Sequence, residues 1–181
     1  MHSFGYRLNT VLTFALLLLA VLCGAASFLD AFNSPLSASS SYVQANAQVP
    51  SVFSSHVVKV NRFRRQLNGA DEVSLTFNVS LDMKRLFTWN TKQVFVFLAA
   101  EYETPKNALN QISLWDHIIL DKDQAMFQTK VTTKYPLIDQ GSNLRGRKVD
   151  LILHWHVMPK TGRMIRDKLR LSDFHLPEAY T

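Results

Sequence analysis

Two histidines, His154 and His156, flank Trp155 at a spacing that puts both rings on one face of a strand, and Asp150 falls on that face as well. Imidazole and carboxylate groups in this pattern are zinc-type ligands, but local spacing fixes no third ligand. An exposed polar face backed by Leu151, Leu153, Trp155 and Val157 explains the same residues, so no metal ligand is assigned. Glu101 and Glu103 straddle Tyr102, and paired carboxylates can divide acid and base work between them; a polar strand edge accounts for them equally. A serine hydrolase needs an activated hydroxyl, yet neither G-x-S-x-G nor S-x-x-K occurs, and many of the serines lie in a linker-like stretch. The single cysteine, Cys23, sits inside an apolar run, which leaves the rest of the chain no thiol for a disulfide, a zinc site or a nucleophile. The sequence presents no catalytic residue and no cofactor site.

Of the 181 residues, 47% are hydrophobic and 19% charged, a balance that excludes a disordered or collagen-like chain. Setting aside the apolar run leaves about one domain's worth of chain, which rules out a two-domain soluble enzyme. The net charge is +6, and because Arg7 and Asp30 balance each other, all of it belongs to the chain after residue 30, with 19 basic and 13 acidic side chains. Acidic residues interrupt the basic groups around Lys59 to Arg65, Arg145 to Lys148 and Lys160 to Arg170, so nucleic acid is not an expected partner. A solvated basic surface facing anionic lipid headgroups or an acidic partner fits this pattern better.

From Leu8 to Leu29 there are 22 residues without a charge, enough at 1.5 Å per residue for a helix of roughly 33 Å that crosses a bilayer. A cleaved secretory signal would use the same features, with Arg7 as the basic region, Val11 to Leu22 as the apolar core and Cys23 to Ala26 as a small-residue exit. Either reading carries the remainder across the membrane. Arg7 precedes the run and no Lys or Arg follows it until Lys59, which keeps the N-terminus cytosolic. The one N-x-S/T sequon, Asn78-Val79-Ser80, lies on the far side. Strict alternation of Val73, Leu75, Phe77, Val79 and Leu81 puts Asn78 on the polar face of a strand with Ser74, Thr76 and Ser80, so a glycan is expected at Asn78.

These residues need elements to position them. Residues 31–51 are Ser-rich, with Pro35 and Pro50, and read as a tether; the folded part spans 52–181. Val58 and Val60 alternate with basic residues, Gln93 to Ala100 is a continuous apolar run of the kind buried on both faces, and Val149 to Val157 alternates again, continued by Leu169 and Leu171. No stretch of 12 or more residues after position 52 carries a sustained helical stripe. The architecture expected is mainly β: a membrane helix followed by an antiparallel β-sandwich, with turns at Asn68-Gly69, Gly141-Ser142 and Pro159 to Gly162. Short helical turns are expected at Leu81 to Phe87 and near Asn107 to Gln111.

Trp89, Trp115 and Trp155 occur within short polar motifs at the boundaries of apolar runs, where tryptophan seals the end of a core or meets a partner. Trp89-Asn90-x-Lys92-Gln93, Ala100-Glu101-Tyr102, Asn107-x-Leu109-Asn110-Gln111, Leu114-Trp115-Asp116, Lys134-Tyr135 and Leu153-x-Trp155-x-Val157-x-Pro159, in this order, resemble the subunit 3 family of the eukaryotic signal peptidase complex. The resemblance runs from the apolar segment to about Gly162, and the basic stretch Arg163 to Arg170 lies beyond the matching motifs. It implies an uncleaved signal anchor, with residues 1–8 cytosolic, 9–30 in the endoplasmic reticulum membrane and the C-terminal domain luminal, in a type II single-pass arrangement. It implies a non-catalytic accessory role, with the catalytic subunit and small membrane subunits as partners and signal-peptide-bearing precursors met only indirectly. Trp89, Asn90, Lys92, Gln93, Trp115 and Asp116 are the interface residues this suggests. The alternative is a cleaved, secreted β-sandwich that binds a ligand or metal through the His154 and His156 face; a third class is an autonomous membrane hydrolase.

Overall fold

The computed structural model describes residues 3–33, 53–139 and 144–181. Most of the Ser-rich tether and the Gly141-Ser142 turn therefore lie outside the described residues. Among these, the chain forms one long helix and eight strands: α1 (Phe4–Asn33), β1 (Phe53–Arg65), β2 (Asp71–Asp82), β3 (Thr91–Tyr102), β4 (Asn110–Ile119), β5 (Met126–Thr132), β6 (Leu137–Asp139), β7 (Lys148–Pro159) and β8 (Ile165–His175).

The large side chains of α1, from Phe4 to Leu29, are exposed around the whole helix. With no polar stripe to face water and no core to face inward, it has the length and composition to cross a membrane. The strands make two antiparallel sheets. In one, β2 lies between β1 and an edge formed by β5 and β6 in succession; in the other the order is β4-β3-β7-β8. Val73, Leu75, Phe77, Val79 and Leu81 of the first sheet face Val94, Val96, Leu98, Leu151, Leu153 and Trp155 of the second across one buried core. This is the sandwich that alternation leads one to expect, because each strand must bury its apolar face against another sheet.

Several local expectations change in the fold. In β1 the inward residues are Val57, Val60 and Phe63, three apart rather than two, because the pairing with β2 slips at Val57/Lys59 and again at Val60/Arg62. The expected helical turn near Asn107 is absent: Asn107 N–H donates to Thr104 O at 3.2 Å, and Asn110 Nδ2 donates to Tyr102 O at 3.1 Å, local bonds that close a hairpin loop before β4. A single 3-10 turn forms at Lys84–Leu86, inside the expected window. The Asn68-Gly69 turn is present, with Gly69 at φ +87° and Asn68 Oδ1 accepting from Ala70 N–H. Within the run Gln93 to Ala100, Leu98, Ala99 and Ala100 are buried in succession, as a strand covered on both faces requires, whereas Phe95 and Phe97 point outward and are half-buried.

Candidate functional site

β3 and β7 pair through Phe95↔His156 and Phe97↔His154, so these four rings share the outer face of the second sheet. His154 stacks flat on Phe97, with centroids 4.6 Å apart and planes 4° apart, and His156 meets the edge of the same ring at 5.7 Å. Ile118, opposite Phe95 on β4, is 48% exposed. Together they form a partly exposed aromatic and aliphatic strip on this face. Towards β8 the face turns charged: Arg170 donates to Asp150 at 2.7 Å, and Lys168 lies 3.6 Å from Glu101.

The histidines lie on one face with Asp150, but the geometry spends them within the chain. The Gln111 amide N–H donates to His154 Nε2 at 2.8 Å, which fixes that nitrogen as an acceptor. Burial holds the His154 pKa below its ordinary value; Lys168 adds to this and Glu101 opposes it. Burial lowers His156 too, helped by Arg166. Among the described residues no group of three or more His, Cys, Asp and Glu is placed to hold a metal ion. Glu101 stays on the outer sheet face, whereas Glu103 is exposed past the end of β3.

The residues from the Trp89 and Trp115 motifs separate. Trp115 is buried at 8% exposure and stacks on His117 at 5.8 Å, and His117 meets Phe127 of β5, so these rings close the gap between the sheets along the β4 edge. Asp116 points outward and pairs with Lys134 at 3.0 Å; that hydrogen bond holds its carboxyl below the usual range. Gln93 donates to Met158 Sδ at the margin of the aromatic strip. Asn90 is fully enclosed: its Nδ2 donates to Thr161 O at 2.8 Å and its Oδ1 accepts from Thr161 N–H at 3.2 Å. Trp89, next to it, is 56% exposed, and Lys92 is exposed beyond it. Asn78 sits mid-way along β2, between His56 and Lys130, half-buried on the outer face of the other sheet.

One contact has no counterpart in any sequence motif. Ser27 Oγ of α1 hydrogen-bonds Thr161 Oγ1 at 2.8 Å, and the loop reaches the helix through Gly162, at φ +99°. A side chain at 162 would meet Ser27 Oγ at 3.4 Å. Gly162 is the local signal for this contact, and it says only that the chain turns.

A family model described as "Signal peptidase subunit" matches residues 1–179. "Signal peptidase complex subunit 3" of Oryza sativa subsp. japonica is 54% identical over 181 residues, covering 100% of this chain and 99% of that protein. The protein of the same name from Dictyostelium discoideum is 31% identical over 187 residues, covering 99% and 97%, and that from Homo sapiens is 46% identical over 90 residues, covering 49% and 50%. The match passes Gly162 and takes in Arg163 to Arg170, most of which lie in β8, so the likeness is longer than the motifs alone imply. The chain belongs to the signal peptidase subunit family.

Proposed function

We propose that the chain is a non-catalytic accessory subunit of the signal peptidase complex, anchored by α1 in the endoplasmic reticulum membrane with its N-terminus cytosolic and its sandwich in the lumen. In this role it assembles and positions the catalytic subunit, and signal-peptide-bearing precursors meet it only indirectly. The outer strip of Phe95, Phe97 and Ile118 carries this reading. A sandwich with a complete core does not need two further large rings and an exposed Ile118 on its outer face, and such a face with a charged margin is the composition of a subunit interface. The face bearing Asn78 is instead hydroxyl-rich, with Ser74, Ser80 and Thr132, and a glycan there would leave the aromatic face free. Gln93 and Asp116 flank the strip and join the interface in this reading. The bond between Ser27 and Thr161 favours an uncleaved helix, because it ties the anchor to the folded domain.

The test is co-isolation from microsomes in mild detergent. Phe95→Ser combined with Phe97→Ser should release the catalytic subunit at temperatures where circular dichroism shows the variant domain still folded. Full retention of the catalytic subunit by this variant overturns the interface. Recovery of the wild-type chain alone, under conditions that preserve other membrane complexes, overturns the subunit reading.

A further inference from the structure

Ser27 lies two residues before Leu29, the end of the apolar span, so a side chain bonded to it lies at the depth where the helix leaves the hydrocarbon. Thr161 is that partner, and Asn90 clamps Thr161 through both backbone groups. Lys160 N–H donates to Asn90 O at 2.7 Å and Lys160 Nζ donates to Trp89 O at 3.1 Å, so the two loops move as one body. Trp89, adjacent to the clamp, is thereby held at the same level and is 56% exposed. Met164 is 45% exposed in the other loop, and Lys92, Lys160 and Arg163 surround the pair without an acidic residue between 159 and 165. An exposed indole and a flexible apolar side chain amid basic groups are the composition that partitions to the headgroup layer: the ring's apolar body meets the acyl chains, its N–H stays among polar groups, and the cations meet phosphates.

We infer that the paired loops 88–92 and 160–164 are a second membrane contact, which binds the phospholipid headgroup layer of the leaflet where α1 emerges, with Trp89 at the boundary between headgroups and acyl chains. This rests on reading α1 as a membrane span. Its consequence is geometric. β3 and β7 have their loop-proximal ends here, so Phe95 and Phe97 stand about 13 to 20 Å along β3 from the anchored end, at roughly 3.3 Å per residue from Thr91. A single contact with the bilayer cannot set that height, whereas two can.

The experiment uses the full chain in phosphatidylcholine nanodiscs, with tryptophan emission read against lipids brominated either high on the acyl chain or near its terminal methyl. Trp115 and Trp155 are buried in the sandwich, so only one of the three tryptophans is open to lipid. Bromine high on the chain should quench part of the emission more than bromine near the methyl end, and Trp89→Phe should remove that quenching. Equal wild-type emission in all three lipids, with the chain resistant to alkaline extraction, overturns the lipid contact and leaves the anchor standing; protection of Trp89 by a protein cross-link would then mark it as a partner surface. A chain released by alkali overturns both the anchor and the inference.

Discussion

Asn90 shows how much one buried amide can hold. It satisfies a donor and an acceptor of Thr161 at once, so Asn90→Ala leaves both without that partner in a partly buried loop. The expected cost is about 1–3 kcal/mol, seen as a lowered melting temperature of the detergent-solubilised chain; an unchanged melt would show that the loop pair has other support. Burial, with Lys168 adding to it, holds the His154 pKa below its ordinary value, and the Gln111 N–H occupies its Nε2. Its folded pKa lies below the ordinary 6.5, so the unfolded chain takes up a proton first as pH falls. The stability from the neutral ring is fully present above 6.5 and is lost as pH falls from there through the lower folded value. Melting temperature measured against pH should decline over that window, and His154→Gln should flatten the decline, leaving the share that belongs to His156.

Among the elements, the β7–β8 loop and β4 make the sharpest predictions. Gly162 combines a positive φ with a close approach to Ser27, so Gly162→Ala adds strain of about 1 kcal/mol and pushes the loop from the helix. In a Cys23→Ser background, Ser27→Cys with Thr161→Cys should form an intramolecular disulfide on mild oxidation, and Gly162→Ala should lower its yield; no disulfide in either would place the loop away from α1. On β4, Trp115 fills the gap between sheets, so Trp115→Ala should cost about 3–5 kcal/mol, whereas Trp89→Ala, at an exposed loop, should change the melt by less than about 0.5 kcal/mol. Equal losses would mean that Trp89 is packed after all.

At the scale of the molecule, the sandwich has one hydroxyl-rich outer face and one aromatic outer face, joined at one end to an apolar helix. Translation into intact microsomes should attach a single glycan, detected as a mobility shift that glycosidase and Asn78→Gln both remove; an unshifted chain would withdraw this support for a luminal domain. The apolar helix and the alternation in β2 and β7 were legible directly, because hydrophobic length and two-residue periodicity are local properties of the chain. Periodicity also placed His154, His156 and Asp150 on one face. It could not say what lies opposite a residue. Gln93 to Ala100 read as buried on both sides, which holds for Leu98 to Ala100, yet only the fold left Phe95 and Phe97 facing outward and half-buried. Trp89 and Trp115 sit in similar polar motifs, and only the meeting of the β4 and β5 edges buried one and left the other open. The bond between Ser27 and Thr161 joins residues 134 positions apart, and Asn90 reaches Thr161 across 71. Asn90 and Thr161 flank the paired ends of β3 and β7, at Thr91 and Pro159, so it is strand pairing between distant segments that brings them together, a condition written in no local stretch of residues.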